Sequence, residues 1–179
     1  MLVLLKKIKY TIIRKCLKTK EGLAMNSESY TPTSVDFAIY LSKIATTLKK
    51  EINFTKLQKW IYVCYGLFLV RNGKRLFDEQ PIAGDYGPFF PKVYELQKQM
   101  EGALEILDIN PHIVNVQEYD SIIYTTLGYF GDASATKMVS WTHQKGTAWD
   151  KVYNTLGAKY TALDDNDVRA DFEPLIMQE

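Results

Sequence analysis

Asn53-Phe-Thr-Lys56-Leu-Gln58-Lys-Trp60-Ile-Tyr62-Val-Cys64-Tyr-Gly66-Leu-Phe-Leu-Val70-Arg-Asn72-Gly73 is the stretch on which the fold turns. From Trp60 to Val70 it is apolar on every side, so a helix built from it has no face to offer water and must lie between other elements. Both ends carry stop signals. Asn53 is a capping residue with Ile52 and Leu57 placed as the flanking apolar staple, and Thr55 with Gln58 also fits a capping box. Asn72-Gly73 tolerates the left-handed backbone that closes helices. The apolar run is well short of the roughly 20 residues a bilayer span needs, which makes it a core helix and not a membrane segment.

Upstream of this helix, Phe37, Leu41, Ile44, Ala45 and Leu48 recur at helical spacing behind Thr33 or Ser34, either of which suits a cap. Residues 26–33 are polar, contain Pro32 and suit a linker or extended arm. Downstream, Lys74 to Pro91 holds too many breakers for a helix and predicts short extended pieces and tight turns. Pro91 suits the first position of a helix carrying Val93, Leu96, Gln97 and Met100. Leu104 to Gln117 predicts a hairpin, because two β-favouring stretches flank Asn110-Pro111-His112. Tyr119 to Phe130 follows as a helix closed by Gly131. Ser134 to Thr142, Thr147 to Leu156 and Asp164 to Phe172 complete the series, the last with acidic residues where the helix dipole favours them. The fold class expected is mainly α: a compact helical domain around a central buried helix, with a small β-hairpin or short antiparallel sheet.

The 179 residues carry a formal net charge of +1, with 46% apolar and 24% charged residues, which is ordinary for a folded domain. The near-neutral sum hides an asymmetry. Residues 1–25 hold seven basic residues against Glu21 alone, a net +6, which leaves −5 for the rest. The body therefore gives no broad electrostatic basis for holding a phosphate backbone. Leu5, Ile8, Ile12 and Cys16 share one helical stripe, so 1–25 reads as a basic, amphipathic N-terminal extension ahead of a domain over 26–179. Three readings stand open for that extension: contact with an anionic surface through residues 1–20, docking on a partner or a second copy, or no role at all, with Met25 as the real start and Met25-Asn-Ser-Glu-Ser a polar leader to the first helix. The opening Met-Leu-Val-Leu-Leu is too short for a secretory signal, and its basic residues follow it instead of preceding it.

Reactive chemistry is sparse. Cys16 and Cys64 have neither a disulfide framework nor paired metal-ligand spacing around them, which predicts a reduced, cytoplasmic protein. Cys64 lies midway along the apolar helix, where a thiol is an inert packing group. A nucleophile–base pair would need Cys64 or a serine beside His112 or His143. Asp164-Asp165-Asn166-Asp167 lacks the glycine and closing glutamate of a calcium loop. No enzyme activity, cofactor, metal or small-molecule substrate is expected.

Ordered along the chain, Ile52 to Tyr62, Gly66, Gly73-Lys-Arg-Leu76-Phe77, Tyr86-Gly87-Pro88 and Pro91-Lys-Val93-Tyr94 resemble the signature of the Panacea domain family, the SocA-like antitoxins. A second block, Lys137 to His143 followed by Thr147-Ala-Trp149 and Tyr153, looks like that family's later Thr-His and Trp motif. Together the blocks span about residues 34 to 175. The chain departs from the pattern in having Gly84-Asp85 before the Gly-Pro pair, where members often carry Trp, and Phe89-Phe90 after it, where they carry a smaller aliphatic residue. The resemblance implies a mostly helical antitoxin that neutralises a cognate protein toxin by direct binding. An adaptor that delivers the bound toxin to a ClpXP-type protease is the alternative. It also implies Lys56, Gln58, Tyr62, Tyr86, Gly87, Pro88, Phe89, Phe90, Tyr94, His143 and Trp149 as motif or toxin-binding positions. Gly87-Pro88 would set a stiff turn, Gln58 would satisfy an open amide, and Tyr86, Phe89, Phe90 and Tyr94 would be exposed around that turn, since two adjacent phenylalanines in a loop are not easily both buried.

Overall fold

The computed structural model of the chain describes residues 31–114 and 116–176. The basic extension 1–25, with its three readings, lies outside the described residues.

Helix α1 spans Ser34–Thr47. Thr33 caps it: the Thr33 Oγ1 accepts the Asp36 N–H at 3.0 Å, while the Asp36 carboxylate accepts the Thr33 N–H at 3.3 Å. This reciprocal box satisfies two amides that the first turn leaves open. Helix α2 spans Phe54–Asn72, where the Asn53 side chain accepts the Lys56 N–H at 2.9 Å. Gly73 ends it at φ +63° with its N–H returned to the Leu69 carbonyl. Every residue from Lys56 to Leu69 is buried, so the all-round apolar pattern does place this helix at the centre. Full burial of each large apolar side chain contributes about 1.5–3 kcal/mol.

Strands β1 (Ile82–Gly84) and β2 (Gly87–Phe89) pair antiparallel, followed by α3 (Pro91–Gln99) with proline in its first turn. The small sheet foreseen in the sequence thus exists, but it is here and not at Leu104–Gln117. That later segment coils into two 3-10 turns, Leu104–Ile106 and Pro111–Ile113. The physical reason lies at its midpoint. Pro111 has no N–H to give a ladder, and the Asn110 side chain accepts the His112 N–H at 3.1 Å, which holds a turn in place of a strand. Leu104 and Ile113 still reach the core.

Helix α4 (Gln117–Phe130) and helix α5 (Ala135–Thr142, capped by Ser134) follow. Gly131 does end α4, though with right-handed backbone at φ −59°. A side chain there would meet the Leu127 carbonyl at 2.4 Å, so the glycine answers to space and not to a left-handed cap. The segment expected as a helix from Thr147 to Leu156 divides into a short α6 (Ala148–Asp150) and a π turn over Lys151–Thr155. Helix α7 (Asp165–Ile176) runs past Phe172 and contains Pro174. Helices α1, α3, α4, α5 and α7, together with β2, surround α2. No helix among the described residues is long and apolar enough to cross a membrane.

Candidate functional site

The hairpin is where distant parts of the sequence meet. Its turn is the pair Asp85-Tyr86, so Gly87-Pro88 forms the start of β2 and not the turn itself. Gly87 adopts φ +90°, and a β-carbon on it would stand 2.5 Å from the Thr142 Oγ1 and 3.1 Å from the Lys59 Nζ. Only glycine allows β2 to lie this close to α2 and α5. A third extended piece seals the outer edge of β1: the Tyr160 N–H donates to the Ala83 carbonyl at 2.8 Å, the Ala83 N–H donates to Thr161, and the Leu163 N–H donates to Pro81. Covering the edge leaves fewer open backbone groups for stray pairing.

The Trp149 indole N–H donates to the Gly84 carbonyl at 2.8 Å from inside the protein. Its ring is sandwiched between the His143 imidazole, stacked at 3.7 Å, and the Tyr153 ring at 4.5 Å. The π turn places Tyr153 so that its hydroxyl donates to Asp85, which also receives the Tyr160 hydroxyl at 2.7 Å and the Lys159 ammonium at 3.4 Å. The Tyr153 and Tyr160 hydroxyls, then the Lys159 ammonium, hold the Asp85 carboxyl down at about 2. The His143 imidazole is held below its usual value, first by burial and then by the Lys59 charge nearby, and its buried Nε2 has no hydrogen-bond partner.

Helix α2 forms the opposite wall. The Gln58 carbonyl oxygen accepts the Phe90 N–H at 2.8 Å, and its amide donates to Gln97 on α3 at 2.7 Å. The open amide that Gln58 satisfies therefore belongs to the end of the hairpin and not to its own helix. The next residue, Lys59, is 2% exposed and donates to the Pro88 carbonyl at 2.8 Å. Between this wall and the hairpin lies a cleft of about 340 Å³, with Phe54, Gln58, Lys59, Tyr86, Tyr94 and Tyr160 among its lining residues.

The positions implied by the family pattern divide into two groups. Tyr86 is 75% exposed at the turn, Tyr94 is 41% exposed on α3, and half-buried Phe89 packs edge-on against Tyr94 at 5.6 Å. Phe90, expected beside them on the surface, is wholly buried against Phe77 at 5.1 Å and Tyr65 at 5.7 Å. Adjacent residues of an extended strand point to opposite sides, so the Phe-Phe pair sends one ring out and one in. Lys56 and Tyr62 lie away from the cleft. Lys56 donates to the Gly131 carbonyl at 3.2 Å and sits 5.0 Å over the Trp60 ring, while Tyr62 packs on Phe172 and bonds Asp171. Gly87 and Pro88 belong to β2 itself, while Gln58 and Trp149 bond the hairpin from below and His143 stacks on Trp149.

Lys59, Asp85 and Tyr160 belong to the site and were not among the residues expected there. Lys59 stood in the quoted motif, but a lysine near a helix start reads as solvated. Tyr160 follows Lys159 in a polar loop with no motif to flag it. Cys64 is distant from this chemistry: its thiol bonds Thr126 at 3.2 Å, and burial pushes it up to about 12. Among the described residues no group of three or more His, Cys, Asp or Glu is placed to hold a metal ion.

Fold and site together define a small, mainly helical domain with a two-stranded hairpin held at the entrance of its central helix. The family described as "Antitoxin SocA-like, Panacea domain" matches residues 57–150, a stretch that takes in Lys59, the hairpin, His143 and Trp149. The chain belongs to that family. It is similar to the antitoxin SocA of Caulobacter vibrioides (strain NA1000 / CB15N), 29% identical over 143 residues that cover 70% of this chain and 74% of that protein. No solved structure matches it.

Proposed function

We propose that this protein is an antitoxin that neutralises a cognate toxin by direct binding through the hairpin face. The observation that carries this is the aromatic rim: Tyr86, Tyr94 and Tyr160, at 75%, 41% and 58% exposure, surround one cleft on a rigid support. Large, partly apolar rings with one polar handle are the side chains that dominate binding energy at protein interfaces. Their support is fixed by Trp149, Gln58 and Lys59, so little freedom is lost when a partner docks. Similarity to an antitoxin supplies the class of partner.

Co-expression with the adjacent gene is the direct test. Growth arrest by that gene alone, relieved by this protein, is the expected result. Tyr86→Ala and Tyr94→Ala should weaken neutralisation and binding at least tenfold, while surface truncations of this kind shift folding stability by only about 0.5 kcal/mol. A harmless neighbour, or arrest that persists beside the wild-type protein, would refute the proposal. The lifetime of the bound toxin with and without a ClpXP-type protease separates masking, which predicts no dependence, from delivery to the protease.

A further inference from the structure

Lys59 carries more charge than its packing requires. It is 2% exposed, lines the cleft, and uses one of its three ammonium donors on the Pro88 carbonyl at 2.8 Å. Among the described residues it forms no ion pair. A buried ammonium without a counter-ion is costly, and a methionine of similar length would fill the same space without that cost. Burial has pulled the amine from 10.5 down to about 7.

Resting on the antitoxin reading above, we infer that the cleft is a subsite for a carboxylate presented by the toxin, with Lys59 as the cation on its floor and the Phe89, Tyr94 and Tyr160 rings around the acidic residue's apolar stem. Charge complementarity favours this occupant. The first turn of α2, with Phe54 and Thr55 on the cleft wall, carries no acidic residue, and a helix start favours negative charge. Asp85, the acid in the lining, is already engaged by Tyr153, Tyr160 and Lys159. One cation among aromatic walls suits a singly charged carboxylate, whereas a phosphate calls for several converging donors.

The pH dependence follows from the groups that face Lys59. Asp85 on the hairpin stays ionised and Lys159 stays charged, while the Tyr160 hydroxyl, raised by Asp85, keeps its proton. His143, behind the hairpin, is held low and is neutral above pH 7. A bound carboxylate stabilises the Lys59 ammonium, so the complex takes up a proton above pH 7. Affinity is then greatest below pH 7 and falls by up to about tenfold per pH unit above it, until the amine of the complex itself titrates.

The test has two arms, both on the full chain. In the first, lysine-labelled protein is followed by NMR while 3-phenylpropionate or 3-phenylpropionamide is added. The expected result is one lysine signal titrating near pH 7 that moves to higher pH with the acid, ignores the amide, and is missing in Lys59→Met. In the second, binding of the purified product of the adjacent gene is measured at pH 6.5 and 8.5 for wild type, Lys59→Met and Lys59→Gln. Wild type should weaken roughly tenfold or more at pH 8.5, and both variants should bind weakly with no pH dependence. Wild-type affinity that is flat with pH overturns the inference without any variant having to fold. Equal response to acid and amide overturns it too, as do variants that bind the product as tightly as wild type; the antitoxin reading survives all three. If the product binds wild type at neither pH, the antitoxin reading fails, and the toxin is lost as the source of the carboxylate even where the acid arm succeeds.

Discussion

A methyl group on Gly87 would stand 2.5 Å from the Thr142 Oγ1 and 3.1 Å from the Lys59 Cε, on backbone at φ +90° that L residues rarely adopt. Gly87→Ala should therefore cost about 2–4 kcal/mol, combining strained backbone with overpacking, as read from urea unfolding. Gly73, also at positive φ but with nothing within 4 Å of its absent β-carbon, is the control for backbone strain alone. Lys59 sets a second test, on stability and not on binding. The unfolded chain keeps this amine protonated up to about 10.5, and the folded chain only up to about 7. Between those values the unfolded state binds the extra proton, so stability rises with pH and is lost as pH falls toward 7, by at most about 1.4 kcal/mol per unit. Urea midpoints from pH 7 to 9 should climb for wild type and stay flatter for Lys59→Met. Equal slopes in the two proteins would rule out a buried, destabilised ammonium.

At the scale of elements, the hairpin is held from both sides. Its strands are only three residues each, and an isolated pair this small is marginal in water. Trp149 supplies a buried bond to Gly84, and Gln58 takes the Phe90 amide. Trp149→Phe should leave the Gly84 carbonyl unsatisfied at about 1–3 kcal/mol and speed amide hydrogen exchange at Ala83 and Phe90, with α1 and α4 unchanged. Uniform acceleration across the whole chain would mean instead that the indole supports global stability. The central helix was legible because its sequence states one thing at every position: apolar all round, capped by Asn53, released by Gly73. The hairpin was legible only as short extended pieces and tight turns, without its pairing or its turn. Asp85-Tyr86 is no common turn pair, three-residue strands leave little alternation to read, and Gly87-Pro88 drew the turn toward itself. Leu104 to Gln117 offered β-favouring residues, but Pro111 withdrew the backbone donor a strand needs. Lys59 was hidden by its own context, because burial of a lysine is a tertiary fact that helical spacing cannot express. Trp149 and His143 were placed by the family pattern, while the ring on Trp149's other side, Tyr153, lies in a π turn that single-sequence periodicity does not register.

Across the whole molecule, the element most in contact with α2 is the one that comes last. Gly66 has no room for a β-carbon because the Phe172 ring of α7 lies 2.2 Å from where it would be, and Phe172 also meets the Tyr62 and Trp141 rings. The Tyr65 hydroxyl donates to Asp165 at 2.7 Å across 100 residues, and Arg75 pairs with the same carboxylate at 2.6 Å. Phe172→Ala should cost about 3–5 kcal/mol and shift the urea midpoint as a single transition, since the cavity opens directly on the central helix. Loss of α7 signals ahead of the rest would show that this helix is an independent flap. The same arrangement bears on how the protein is made. A ribosome delivers α2 long before the helix that packs on it at Tyr62 and Gly66, so that side of α2 stays bare on a nascent chain until α7 has emerged. A polypeptide cut short of α7 is therefore expected to expose apolar surface that invites aggregation, chaperone capture or degradation.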